Sequence, residues 1–556
     1  MIPAGIQSAE RLALVLISDF NLRTIHMKKI YSIAILGLIL TFGSCKKMVD
    51  EQPLSQGLQK DFFKSRFDAE AAMAGMYGEF QATMIKGDGS QSENRITWWG
   101  EARSDNFERR VTYAQAAQNE IDFNGLSANN TFSDWSFLYS TIGRANLMIK
   151  RLPEIKLYAL AGTPNELPLA TETSYIAQCY AMRALCYFWI ARIWGDAPIR
   201  TEPYQSLKDN PEQARDPQEK VLDQAIADLQ KAYDMMAKNV NSPVWTIGEA
   251  AICATMADIY MWRKDYPNAT IWFKNLFKAK GPTGKVYNLA GSVTTGTGGV
   301  AADLQTGPTW NAQFASPTSS VESIFNIHWD YISNGCACMS GISLTTNNSV
   351  TRMAEGIWST WRTNVTDFRI KQTFNTVGTA TAVRDAPIWK FYPGTFVPPT
   401  TVPLTNYNFT AAIPAVTTST NVYIPVYRLS DMYLLYAEAL NQLGDQTNSL
   451  KYVNLIRVRA NLAPLLAVNF PDKRTLETAI LQERQYELYG EGKRWFDLVR
   501  TDRVIEVMEP IVRARQTLAG SSVTGWGTDK RKYYWPINRS VLNSNRLLTQ
   551  NEPYNN

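Results

Sequence analysis

Residues 475–500 read TLETAILQERQYELYGEGKRWFDLVR, and the way this stretch mixes an apolar stripe with interleaved charges sets the fold class. Leu481, Leu488 and Trp495 recur every seventh residue, and Leu476, Ile480, Leu498 and Val499 widen the stripe. The spacing predicts one long helix with a face turned to a core. Arg484 and Glu491 stand on that stripe, so both are expected to be at least partly buried, and a buried charge must be paired. Glu487 follows Arg484 by three residues and Arg494 follows Glu491 by three, which places these side chains on neighbouring turns. The expectation is a structural ion network of Arg484, Glu487, Glu491 and Arg494.

The same carboxylates invite a catalytic alternative, in which Glu487 and Glu491 act as the acid/base pair of a surface glycoside hydrolase. Residues at i and i+4 project the same way from one helix, whereas glycoside hydrolysis needs carboxylates on opposite sides of the scissile bond. Interleaved arginines also hold both groups ionised instead of splitting them into acid and base. The structural reading is preferred.

Upstream, the chain reads mainly α. Windows at about 58–84, 132–152, 171–194, 217–238, 247–263, 268–279, 428–443 and 447–461 carry apolar residues at three-to-four spacing. Within them an internal repeat emerges. Ala257-Asp258-Ile259-Tyr260 with Asp265 and Ala269 aligns with Ala437-Glu438-Ala439-Leu440 with Asp445 and Ser449. In each copy a helix ends, a short turn follows, and a small residue lets a second helix approach closely. This is the pattern of a tetratricopeptide-type hairpin, which stacks because no single pair buries its own face.

Between about 286 and 425 the character changes. Gly, Thr, Ser, Asn and Pro dominate, with short alternating segments such as SIFNIHW and NVYIPVY that predict strands. Trp310, Trp329, Tyr331, Trp358, Trp361, Trp389 and Tyr392 give this region too many rings for a disordered linker. It reads as a ligand-bearing insert, with a helical scaffold at 45–285 before it and a further helical region at 426–556 after it.

At the other end, Met27-Lys28-Lys29, the apolar run IYSIAILGLIL and TFGSC form the three parts of a secretory signal. The run is too short to span a membrane. Residues 1–26 precede a complete signal, so 1–44 is read as an over-extended start plus signal peptide. The Gly43-Ser44-Cys45 ending resembles a lipoprotein box, with Cys45 as the lipidated residue; a plain signal followed by a free cysteine is the alternative.

Composition narrows the chemistry. The chain of 556 residues exceeds one hydrophobic core. A net charge of +5 without basic clustering argues against nucleic acid. Only two histidines occur, and His26 falls in the signal, so any histidine-dependent mechanism must use His328, which sits in the alternating run ESIFNIHWDYIS. No GxSxG, HExxH or phosphate-cradling glycine loop is present. Cys179, Cys186 and Cys253 lie in helical patterns and are expected buried and reduced. Cys336 and Cys338 suit a local disulfide better than a metal site. No cofactor or metal is expected. Most of the 16 Trp are expected to pack between helices.

Five blocks carry a family resemblance: AMRALCYFWIARIWGDAPI (181–199), YRLSDMYLLYAEALNQLGD (427–445), NLIRVRANL (454–462), ERQYELYGEGKRWFDLVR (483–500) and YYWPINRSVLNSNRLLTQNEPY (533–554). Together they resemble the SusD/RagB family of surface nutrient-binding lipoproteins. The resemblance implies a SusD-like fold in which four helix pairs form a right-handed scaffold and the C-terminal pieces return to it. It also implies outer-membrane anchoring, a glycan ligand and a SusC-like TonB-dependent transporter as partner. Lys46 and Lys47 depart from the acidic residues that often follow the cysteine in such proteins.

A second site candidate is RITWWGEARSDNFERRVTY at 95–113. Trp98 and Trp99 have the flat faces on which sugars stack, and Arg103, Asp105, Asn106 and Arg109 offer hydroxyl partners. The alternative is that Trp98, Trp99 and Asp105 fasten this loop to the scaffold. The resemblance favours Arg109 and Tyr113 as ligand contacts. The ligand-binding set expected from sequence is therefore Trp98, Trp99, Arg103, Asn106, Arg109, Tyr113, Trp310, Trp329, Tyr331, Trp358 and Trp361. The protein is read as a binder and not an enzyme, with peptide capture or protein scaffolding as the other binding roles.

Overall fold

In a computed structural model, residues 62–85, 94–109, 116–204, 209–287, 303–334, 351–364, 366–373, 384, 389–391 and 421–554 are described. The chain divides into Met1–Phe63 and Lys64–Asn556, and every described helix and strand belongs to the second unit. The signal segment, Cys45, Tyr113, Cys336, Cys338 and Tyr392 lie outside the described residues.

Helices dominate. In chain order the principal ones are α1 (Arg66–Ile85), α2 (Arg95–Gly100), α3 (Ser136–Arg151), α4 (Leu169–Trp194), α5 (Gln218–Met235), α6 (Glu249–Trp262) and α7 (Tyr266–Lys278). After the first part of the insert come α8 (Glu355–Trp361), α9 (Leu429–Gln442), α10 (Gln446–Arg459), α11 (Lys473–Glu487), α12 (Arg494–Arg500) and α13 (Val504–Leu518). Consecutive helices pack in pairs: α4 against α5, α6 against α7, and α9 against α10, while α3 lies between α1 and α4. Helix α9 also packs on α7 and α11, which joins the two halves of the scaffold.

The repeat seen in the sequence is a physical repeat. Asp265 caps α7 by accepting the backbone N–H of Asn268 at 3.2 Å, and Asp445 caps α10 by accepting that of Asn448 at 3.1 Å. In both turns the capped asparagine returns a side-chain bond to the aspartate, 2.7 Å each. Ala269 and Ser449 are fully buried where the second helix meets the first. Asp258 and Glu438, at matching positions, each receive an arginine from another helix: Arg192 and Arg500. Because the two caps are equivalent, Asp265→Ala and Asp445→Ala should each cost about 0.5–2 kcal/mol, measured by denaturant unfolding. A clear inequality between them would break the equivalence.

Helix α4 is the axis of the N-terminal half. From Ala177 to Trp194 nearly every residue is buried, as expected of a helix apolar on all sides. Its buried Arg183 is held bidentately by Asp228, 2.7 Å to each oxygen. Gly195 takes a positive φ of 79° to end it. Asp196 then accepts the backbone N–H of Gln218 at 2.8 Å, and so starts α5. The C-terminal tail returns here: Trp535 N donates to Ile193 O at 2.8 Å, and the Asn551 amide bridges Trp194 O and Trp535 O. Cys179, Cys186 and Cys253 are buried free thiols.

Four short strands form two antiparallel ribbons. β1 (Phe107–Arg109) pairs with β3 (Thr351–Met353), and β2 (Ser323–Asp330) pairs with β4 (Asn421–Arg428). Each ribbon ties a segment of the 286–425 region to the helical scaffold or to itself.

The long helix expected over 475–500 is two helices. α11 ends at Glu487 and α12 begins at Arg494. Gly490 and Gly492 between them have φ of 79° and 74°, a conformation that side chains with a Cβ resist. The heptad of Leu481, Leu488 and Trp495 survives because all three are buried, although they do not share one continuous stripe.

Candidate functional site

The turn between α11 and α12 is where the scaffold, the 94–109 element and the insert meet. Gly100, at the end of α2, approaches Gly492 backbone to backbone, so closely that a Cβ on Gly100 would stand 2.1 Å from Gly492 O. Glu101 follows directly and is fully buried. Its carboxylate accepts the backbone N–H groups of Gly492 and Lys493 at 3.0 and 3.2 Å and the Asn106 amide at 2.6 Å. Burial pushes its pKa up to about 7, against the pull of those donors. Asp105 completes the clamp by holding Arg494 at 2.8 and 2.9 Å, and Gln485 donates to both Asp105 and Asn106.

The charges on the key stretch are buried, but their partners come from elsewhere. The pairs expected from spacing do not form: Arg484 is taken by Asp431 and Asp497, and Arg494, beyond the helix break, by Asp105. Glu487 instead receives Arg428 and Arg459 at 2.5 Å and Arg369 at 3.0 Å. Glu491 binds Arg428 at 2.7 Å and Lys390 at 2.6 Å. Glu322 joins Arg459 at 2.8 Å, Asp367 and Glu483 join Arg369 at 2.8 and 2.7 Å, and Arg457 closes on Glu483 at 3.0 Å. The cluster is neutral: Arg369, Lys390, Arg428, Arg457 and Arg459 balance Glu322, Asp367, Glu483, Glu487 and Glu491. A second neutral set places Arg484 between Asp431 and Asp497, with Lys493 on Asp431 and Arg500 on Asp497 and Glu438.

Burial alone would raise the Glu487 pKa, but Arg459, Arg428 and Arg369 overcome it and hold the carboxyl well below its ordinary range. At Asp431 burial is likewise outweighed by Lys493 and Arg484, and the value falls to about 2. Glu487 and Glu491 are thus shielded, ionised carboxylates under guanidinium groups. Glu487 lacks the raised pKa that an acid of glycoside hydrolysis requires, and neither carboxylate has the access.

The rings expected to be exposed are packed. Trp98 stacks on Phe132 and Trp99 meets Trp194 edge-on, both without exposed surface. Arg103 is sandwiched against Trp495 and Trp535 and donates to Tyr533 O and Lys532 O. Asn106 is spent on Glu101 and Gln485. Trp310 is buried beside Phe314 and donates to Glu487, and Trp361 stacks on Tyr486 at 4.9 Å while donating to Asp367. Trp329 and Trp358 are buried as well. These six tryptophans present no open face to a sugar in this conformation; the insert uses its rings as pegs into the scaffold. Arg109 differs: its guanidinium, half-buried, bonds Asn119 at 2.9 Å and lies over Phe123. Tyr331 opens a short turn of helix, Tyr331–Asn334.

Two concave surfaces among the described residues suit a ligand. A groove of about 390 Å³ runs between β1, α8, α11 and α13, lined by the apolar Ile357, Ile511 and Leu518 and by the charged Glu108, Glu355 and Arg515. A smaller cavity of about 240 Å³ lies between α1 and β2, at the foot of a cluster of partly exposed rings, Trp245, His328 and Tyr423. Trp245 escaped the sequence reading, although one signal was available. It stands in the linker 236–248 between two helical windows, a large ring with no helical stripe to join.

Comparison with known proteins agrees with this architecture. A model of the SusD family matches residues 346–554, and one described as starch-binding, associating with outer membrane, matches 50–261. SusD-like protein P38 of Formosa agariphila is 27% identical over 573 residues, covering 95% of this chain and all of that one. The starch-binding protein SusD of Bacteroides thetaiotaomicron is 34% identical over 134 residues, 24% of this chain and 21% of its own. Among solved structures, a SusD superfamily protein from Bacteroides vulgatus superposes with a TM-score of 0.66 at 17% identity, covering 88% of this chain and 99% of that one. A laminarin-binding SusD-like protein gives 0.64 at 18%, covering 88% and 100%. At such identities the structures speak for the fold, and the sequence matches on both sides of the insert supply the lineage. The matches on both sides of the insert, together with the shared helical fold, place the chain in the SusD/RagB family.

Proposed function

We propose that this protein captures oligosaccharide or polysaccharide at the outer membrane and delivers it, uncleaved, to a SusC-like TonB-dependent transporter. The observation that carries the reading is the pair of family matches, at 50–261 and 346–554, one of which is described as starch-binding. The laminarin-binding neighbour points the same way. Cys45 is proposed as the site of lipid attachment; among the described residues no helix is long and apolar enough to cross a membrane. The groove of about 390 Å³ is the proposed surface for a glycan chain, since its apolar lining residues suit sugar C–H faces and its charged ones suit hydroxyls. Of the contacts expected from sequence, Arg109 and Tyr113 remain proposed on the family resemblance; from β1 it is Glu108, and not Arg109, that lines this groove.

Isothermal titration of the purified chain against laminarin, starch and xylan oligosaccharides tests this. Binding of at least one, with the glycan recovered at its original length, is the expected outcome. Shortened products would indicate a hydrolase, and binding of peptides alone would move the protein to a peptide-capturing role.

A further inference from the structure

Strand β2 carries a polar side chain that the fold leaves idle. Asn326 is 2% exposed, and neither its amide nitrogen nor its amide oxygen meets a partner. A buried amide with both ends unmade is costly and calls for an explanation. The backbone around it is also set apart. The register of β2 on β4 shifts between Phe325 and Asn326, the residue opposite Asn326 is Pro425, and the Asn326 N–H donates across to Val244 O at 2.8 Å. A proline has no N–H for the ladder, and bulges of this kind re-aim side chains.

Asn326 lines the cavity of about 240 Å³, together with Tyr77, Gln81, Trp245 and His328. The other polar walls are already committed. Tyr77 Oη donates to Gln178 at 2.8 Å and accepts Ile247 N–H at 2.9 Å. The Gln81 amide donates to His328 O and accepts from Asn334. Among the described residues that line it, none is Asp, Glu, Lys or Arg. The partly exposed rings of Trp245 and His328 line it, 5.6 Å apart, and are backed by Tyr423, whose ring lies 5.2 Å from Trp245 and 5.0 Å from His328.

From this we infer a carbohydrate subsite for one neutral pyranose unit, with Trp245, backed by Tyr423, taking its apolar face and the Asn326 amide taking two adjacent hydroxyls. An amide presents a donor and an acceptor side by side, which matches neighbouring hydroxyls that accept and donate in turn. The absence of charge along the walls disfavours uronic acids and amino sugars, whose charges would be stranded there. The volume falls just short of the range of about 300–1,000 Å³ usual for larger ligands, so a single ring fits better than a chain. The subsite rests on the proposed glycan-binding function and adds a second contact that shares no lining residue with the groove.

Full-length processed protein in detergent is titrated with laminarihexaose, maltohexaose and xylohexaose, and each variant is then measured against whichever of these the parent binds. Trp245→Ala is expected to weaken binding about tenfold, and Trp245→Phe to keep most of it. Asn326→Ala should weaken it to a similar degree, and a soaked crystal should show a sugar ring within hydrogen-bond distance of the Asn326 amide. Because Trp245 is partly exposed, its variants remain informative even where the Asn326 variant fails to fold. A parent that binds a hexaose while Trp245→Ala binds it unchanged, or density for buried water only at Asn326, overturns the subsite and leaves the glycan-binding function standing. A parent that binds none of the three overturns both. Displacement of bound hexaose by the peptide trialanine at this cavity would also count against a sugar subsite.

Discussion

Glu487→Ala should lower the free energy of unfolding by about 3–5 kcal/mol, the range for removing one member of a buried ion pair. Glu487 is fully buried and receives Arg369, Arg428 and Arg459, which come from three separate segments. Its loss leaves five cations facing four anions at mostly buried positions. Glu487→Gln retains the shape but not the charge and should recover only part of the loss. Urea unfolding followed by circular dichroism measures both, and a Glu487→Ala variant within about 1 kcal/mol of the parent would show that the cluster is not central to stability. The same groups set an acid limit. The Glu487 and Asp431 pKa values are depressed in the fold, so their contributions are fully present above the ordinary values of 4.5 and 3.8 and are lost as pH falls through the folded ones, about 2 for Asp431. Glu101 acts in the opposite sense. Its pKa is raised to about 7, so its contribution is fully present below 4.5 and is lost as pH rises through 7.

The second large effect is expected at Gly492. An alanine there would place its Cβ 2.5 Å from Ile96 Cγ2 and 2.8 Å from Ile96 O, at a φ of 74°. Left-handed strain and overpacking against backbone together should cost about 2–5 kcal/mol. Gly100→Ala would crowd the Gly492 backbone itself in the same approach of α2 to the turn, and should not add its full cost in the double variant. Gly444 is the control. Its φ is 88° but nothing lies within 4 Å of an added Cβ, so Gly444→Ala should cost only about 1–2 kcal/mol. Equal losses at Gly492 and Gly444 would mean that backbone strain, and not the approach of α2 to the α11–α12 turn, is what the glycine serves.

The helices were legible in the sequence because burial on one face leaves a local period. The window 171–194 became α4, Leu169–Trp194, and 447–461 became α10, Gln446–Arg459. The repeated turn was legible for a similar reason, since Asp265 and Asp445 cap with atoms only three residues away. The helix break inside 475–500 was also written there, in Gly490 and Gly492, but the apolar heptad running across it outweighed two glycines.

The candidate site was much less legible. A tryptophan looks the same in a sequence whether it faces solvent or fills a core, and Trp98, Trp99, Trp310 and Trp361 fill it. Trp245, His328 and Tyr423, which do reach the surface, come from a linker and two strands separated by up to 178 positions, with no pattern linking them.

What the sequence determined by itself was every feature whose energy is settled within a few residues: the helical stripes, the capped turns, and the need for the charges at Arg484, Glu487, Glu491 and Arg494 to find opposite partners. Which partners they found was decided by the tertiary structure alone. Arg428 and Arg369 reach Glu487 across 59 and 118 residues, and Asp105 reaches Arg494 across 389. Such pairings depend on where the chain returns in space, and burial enforces only that the charges be neutralised, not by whom.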